Sequence, residues 1–198
     1  MKSLIEAIKG RRTNYALGKN IPLRQEQITQ IIETILPEVP SAFNMQSARV
    51  VVLLGENHEK VWALTKKILA AIVPAEKFSA TDEKINGFAA AYGTILFFED
   101  MPTVEKMQKA YPSYAENFPI WAQQANGMLQ FAIWTALTEA GLGVNLQHYN
   151  PLIDADVKTW LQLPAGWKLT AQMPFGEATA APKPIEKLPL RDRLKIIR

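Results

Sequence analysis

The sequence predicts helices packed around a few buried strands, and three observations carry that expectation. Val50–Leu54 is an unbroken aliphatic, largely β-branched run. Tyr92–Glu99 (YGTILFFE) is a second, continuous in the way expected of a strand covered on both faces. Around them apolar residues recur at helical spacing, as Ile28, Ile31, Ile32 and Ile35 do, and again Ala125, Leu129, Ile133 and Leu137.

Taken in order, Ser3–Lys9 reads as a short amphipathic helix, with Ser3 and Glu6 at capping-box spacing and Gly10 as its stop. A basic turn, Arg11–Arg12–Thr13–Asn14–Tyr15, follows. Leu23–Leu36 is the next helix, closed by Pro37. Pro40 and Ser41 open a polar loop that runs into the first strand. Gly55 breaks that strand, and Asn57 is expected to cap a helix from about His58 to Ile72. Val61, Trp62, Leu64, Ile68, Leu69 and Ile72 form its core stripe, and His58, among charges, is expected at the surface. Further helices are expected from Asp82 to Ala90, from Pro102 to Ala110, over Ile120–Ala140 and over Ile153–Leu161, with a strand at Trp167–Gly176. Val144–Leu146 is a brief extended segment. Ala178–Pro184 is a Pro- and Ala-rich linker, and the tail EKLPLRDRLKIIR ends in an alternating stretch suited to joining a sheet or crossing to a partner subunit.

Composition narrows the function classes. With 198 residues, 48% hydrophobic and 21% charged, the chain suits one domain (1–198) with a substantial core. Its net charge of +3 is scattered rather than striped, which argues against nucleic acid. Cysteine is absent, excluding thiolate catalysis and disulfides, and two histidines make a multi-histidine metal site improbable. No stretch has the length and apolarity of a membrane span or signal sequence, so the cytoplasm is the expected compartment.

Three stretches concentrate groups able to hold a ligand. Arg11, Arg12 and Thr13 follow a helix directly, and guanidinium forks match phosphate oxygens bidentately; a solvated basic turn is the other reading. Ser41, Asn44 and Gln46 precede a buried strand, where hydroxyl and amide groups could meet the polar edge of an aromatic ligand. GLGVNLQHYNP (Gly141–Pro151) crowds Asn145, Gln147, His148, Tyr149 and Asn150 after two glycines; His148 is a binding candidate rather than a base. No catalytic residue and no metal ligand is nominated.

These loops together resemble the nitroreductase family of FMN-dependent oxidoreductases, and within it the compact fatty-acid-repression-mutant type. RRTNYAL (Arg11–Leu17), PSAFNMQSARVVVL (Pro40–Leu54), YGTILFFED (Tyr92–Asp100), the Trp121 helix running into GLGVNLQHYNP, and PLRDRLKI (Pro189–Ile196) carry the resemblance in family order. It implies an α+β nitroreductase-like fold, a central mixed β-sheet surrounded by helices, in a homodimer whose C-terminal segment crosses to the partner subunit. It implies FMN as cofactor, with NADH or NADPH as reductant. A nitroaromatic, quinone or other small-molecule electron acceptor would then be reduced in a ping-pong cycle. By the same resemblance Arg11, Arg12 and Thr13 meet the FMN phosphate and ribityl chain, and Tyr15 stands where a basic residue is common. Ser41, Asn44 and Gln46 reach the flavin from the other subunit, Gln147 and His148 meet the ring edge, and Lys187 and Arg193 close the phosphate site. A flavin-binding redox sensor or regulatory protein with little turnover is the alternative.

Overall fold

The computed structural model describes residues 3–198. In chain order the elements are α1 (Leu4–Gly10), β1 (Leu17–Gly18), α2 (Gln25–Ile35), β2 (Ala48–Leu54), α3 (Gly55–Ala70), α4 (Phe78–Ala89), β3 (Gly93–Asp100), α5 (Met101–Ala110), α6 (Phe118–Glu139), β4 (Gly143–Val144), α7 (Asp154–Leu161) and β5 (Trp167–Ala178). The strands form one sheet in the order β1-β5-β3-β2, with β4 also paired to β5. Every strand pair among the described residues is antiparallel, and the parallel component of this α+β sheet is the bridge between Thr13 and Val144.

β3 lies at the centre, which explains its unbroken apolar sequence. Its alternate side chains enter two separate cores. Ile95 and Phe97, with Ala171, Met173 and Phe175 of β5, face Ile28 and Ile32 of α2 and Leu129, Ile133 and Leu137 of α6. Leu96 and Phe98 face the opposite way, onto Val61 and Trp62 of α3, Ile85 and Phe88 of α4 and Val157 of α7. The register against β5 slips between Phe97 and Phe98, where Thr170 is the extra residue; its hydroxyl donates to Phe97 O at 3.0 Å, so the bulge leaves that carbonyl satisfied.

Helix starts follow local chemistry. Ser3 and Glu6 form the reciprocal capping box that their spacing predicts. α3 departs from expectation: Gly55, at φ +54°, turns the chain straight out of β2, and the helix begins there rather than at His58. The earlier start extends the buried stripe back by one turn, to His58, Val61, Trp62, Thr65 and Leu69. His58 is therefore 1% exposed, not a surface residue, while Ile72, past the helix end, is 57% exposed and not core. The tail also differs. Within this chain the residues after β5 add no strand, carry one short turn (Leu190–Asp192), and leave Leu188, Leu190, Leu194, Ile196 and Ile197 exposed. Among the described residues no helix is long and apolar enough to cross a membrane.

The buried His58 is held in one tautomer. Ala89 O only accepts, so Nε2 carries the hydrogen (3.2 Å); Nδ1 then accepts from the Thr94 hydroxyl (2.9 Å), whose oxygen takes the Trp62 Nε1 hydrogen (2.8 Å). Burial holds this imidazole below its ordinary pKa, Lys19 adding to the effect and the bond to Ala89 opposing it. The neutral ring is the favoured folded form. Its contribution is complete above the unfolded pKa of about 6.5 and is lost as pH falls through the lowered folded value. Thermal midpoints measured across that range should fall with acid more steeply for the wild type than for His58→Gln; parallel profiles would refute this arrangement.

Candidate functional site

The basic turn is tied down from two directions. Arg11 follows α1 in extended conformation and its N–H still closes on Ala7 O. Thr13 then bridges to Val144, Asn14 N donates to Val144 O at 2.9 Å, and Asn145 Nδ2 donates to Asn14 O at 2.9 Å. From the other side, the chain leaving β5 closes over the turn. Thr179 N donates to Ala16 O, Asn14 Nδ2 to Ala180 O, and Arg12 Nη2 to Lys183 O.

That strapping presents the Arg11 guanidinium to the face of α6, 4.5 Å from the Trp134 ring centroid and 5.8 Å from that of Phe131. Neither Arg11 nor Arg12 is ion-paired among the described residues. Arg11 Nε and Trp134 Nε1 are buried without a hydrogen-bond partner there. Burial first, and then the neighbouring Arg12, lower the Arg11 pKa. Two adjacent cations, one sunk against an aromatic wall with an unused N–H, have the chemistry to hold an anion with several acceptor oxygens.

Beside this turn lies the loop after β4. Gln147 exchanges backbone hydrogen bonds with Gln172 of β5 (2.7 and 2.9 Å), and Tyr149 N donates to Gln172 Oε1 at 2.6 Å. Gln147 Nε2 donates to Asn145 Oδ1 at 2.8 Å. Gln147 is buried and His148 is exposed. Sequence reasoning missed Asn14 and Gln172 as organisers of this region. For Gln172 the available signal was a lone amide within the otherwise apolar AQMPF; Asn14 gives no comparable signal.

The Ser41 loop is strained and closed on itself. Phe43, Asn44 and Gln46 all take positive φ, between 51° and 55°. Asparagine tolerates this region, whereas phenylalanine and glutamine rarely adopt it. The surroundings enforce it: Ser41 Oγ accepts from Gln46 N (2.9 Å), and the Phe43 ring sits 4.7 Å from Tyr111, 5.4 Å from Phe118 and 6.0 Å from Trp121. Next to it opens a cavity of about 380 Å³ bordered by Ser41, Gln46, Arg49, Ala125 and Trp167. Arg49 pairs with Asp100 at 2.7 Å. Glu99, 2% exposed, accepts from Asn126 Nδ2 at 2.8 Å, and burial raises its pKa against the opposing pull of Ser47, Asn126 and Arg49. Ser47 stands near that carboxyl without hydrogen-bond geometry to it.

The predicted residues thus fall into two groups within one chain. Arg11, Arg12, Thr13 and Gln147 are gathered at one edge of the sheet, with His148 adjacent in the chain. Ser41, Asn44 and Gln46 lie on the loop that leads into β2, the opposite edge strand, with β5 and β3 between. Tyr15 stands apart from both: its exposed ring lies 6.3 Å from that of Phe88, on α4 rather than on the α6 face where Arg11 packs. Lys187 and Arg193 sit on the exposed tail.

Known proteins share this arrangement of elements. The profile of the Nitroreductase family matches residues 8–177. HBN1 of Saccharomyces cerevisiae is 37% identical over 195 residues, covering 97% of this chain and 95% of the yeast protein. Nitroreductase FRM2 of the same yeast is 34% identical over 182 residues, 90% of each chain, in keeping with the fatty-acid-repression-mutant type. Among solved structures, nitroreductase CinD from Lactococcus lactis in complex with chloramphenicol superposes with a TM-score of 0.91 at 39% identity, over 99% of this chain and 100% of CinD. By profile, by relatives that align over nearly its whole length and by fold, this chain belongs to the nitroreductase family of oxidoreductases.

Proposed function

We propose that the protein is an FMN-dependent oxidoreductase, a homodimer that uses NADH or NADPH to reduce nitroaromatics, quinones or related acceptors in a ping-pong cycle. The observation that carries this reading is the half-buried Arg11, unpaired among the described residues and beside Arg12 with an unused Nε, next to a loop of buried amides. A phosphate fits the first and a polar ring edge fits the second. CinD, with its chloramphenicol and 4-nitrophenol complexes, supports aromatic nitro compounds as the acceptor class.

In this reading Arg11 holds the FMN phosphate, assisted by Thr13. Arg12 contributes less, because one of its donors is already given to Lys183 O. Gln147 and His148 border the ring. Ser41, Asn44 and Gln46 lead into the edge strand across the sheet from Arg11, and in this reading the partner subunit supplies them. The exposed apolar side chains of the tail, together with Leu4, Ile5 and Phe131, are the surface a partner would cover. Lys187 and Arg193 would add charge to the phosphate site as the tail crosses. When bound, FMN supplies two-electron transfer between a reduced nicotinamide and the acceptor; the protein supplies binding, orientation and an electrostatic setting.

A visible absorption spectrum of purified protein, identification of any released pigment and steady-state turnover with NAD(P)H test the proposal. Flavin bands, FMN as the released species and turnover of a nitro compound or quinone are the expected results. Protein that stays colourless with added FMN refutes the oxidoreductase mechanism, and flavin binding without turnover favours a sensor.

A further inference from the structure

Asn145 is 0% exposed, and both ends of its carboxamide are committed. Nδ2 donates to Asn14 O at 2.9 Å, and Oδ1 accepts from Gln147 Nε2 at 2.8 Å. The orientation is not interchangeable. A backbone carbonyl only accepts, so the NH₂ of Asn145 must face Asn14 and its oxygen must face Gln147. That oxygen in turn requires the NH₂ of Gln147. Gln147 Oε1 is left without a hydrogen-bond partner among the described residues.

Building on the FMN reading, we propose that Asn145 is a positioning residue: it makes Gln147 present its carbonyl oxygen to the ligand and locks that group to the Arg11–Asn14 turn. One buried amide then joins the phosphate-binding turn to the ring-binding loop. It also sets the polarity that Gln147 offers, an acceptor suited to a ring N–H rather than a donor suited to a ring carbonyl. An acceptor at that edge favours whichever redox form of the ring carries a hydrogen there. Asn145 therefore acts on the flavin's potential through Gln147.

The test is a double-mutant cycle of Asn145→Ala, Gln147→Ala and the double variant, read by FMN dissociation constant and by midpoint potential of the bound flavin. Asn145→Ala should weaken FMN binding about tenfold, the loss of one well-made hydrogen-bond relay, and should shift the potential. The potential shift should vanish when Gln147 is already alanine. A lowered melting temperature with unchanged FMN affinity and potential overturns the proposal, as does a potential shift of the same size in both backgrounds. Should Asn145→Ala not fold, Gln147→Glu probes the same bond from its other end, placing an acceptor against Asn145 Oδ1. An unaltered potential there overturns the proposal as well. Wild type that binds no FMN refutes the functional reading itself, whereas bound FMN indifferent to these variants refutes only the role of Asn145.

Discussion

Arg11→Glu should lower FMN affinity by roughly 100-fold or more while leaving the protein folded. Each charge-assisted hydrogen bond lost is worth about 1.5–3 kcal/mol, and the substitution also sets a carboxylate against a phosphate. Folding should tolerate the change, because among the described residues the guanidinium makes ring contacts and no ion pair. Arg11→Lys should lose less, keeping the charge and giving up the fork. Fluorescence titration of apoprotein with FMN at low and at high salt measures both variants. Unchanged affinity in Arg11→Glu would remove this residue from the phosphate site and leave the family assignment untouched.

Phe97→Ala should be the most damaging single truncation of the core. Phe97 is 0% exposed and stands at the middle of β3, between Ala171 of β5 and the face packed by α2 and α6. Ala171 is too small to fill the space left behind. A buried phenylalanine truncated in this way costs about 3–5 kcal/mol, which for a domain of this size lowers the melting temperature by roughly 6–20 °C. Urea denaturation gives the free energy directly. A loss below about 1 kcal/mol would show that this face of the sheet collapses around the gap and is far less tightly packed than its burial indicates.

What could be read from the sequence divides along physical lines. α2, α6 and the central strands were legible because their apolar periods are long and unmixed, and the capping box at Ser3 declares itself locally. β1 was not, being a two-residue pairing to β5 that exists only through tertiary contact, and β4 (Gly143–Val144) was read only as an extended segment one residue later, at Val144–Leu146. His58 was misread because its neighbours in sequence are charged while its neighbours in space are Thr94, Trp62 and Ala89. Of the candidate site, the three loops were located from residue types and family resemblance. The resemblance alone implied that the Ser41 loop serves a different subunit's site from the basic turn; the positive φ of Phe43 and Gln46, which surrounding rings and the Ser41 hydroxyl impose, was not legible.

The straps over the basic turn have a consequence for how the protein is made. Arg12 is held by a carbonyl 171 residues further along, and Asn14 by one 166 residues away. β1 waits on Ala178, and Thr13 on Val144. A ribosome adding about 5–20 residues per second releases the N-terminal turn long before any of these partners exists. The basic residues of this turn, among the first to be synthesised, are thus among the last to be fixed in place. A nascent chain halted before β5 emerges carries Arg11 without the architecture that aims it, so under the proposed FMN reading cofactor capture would be confined to chains that have been translated almost to their end.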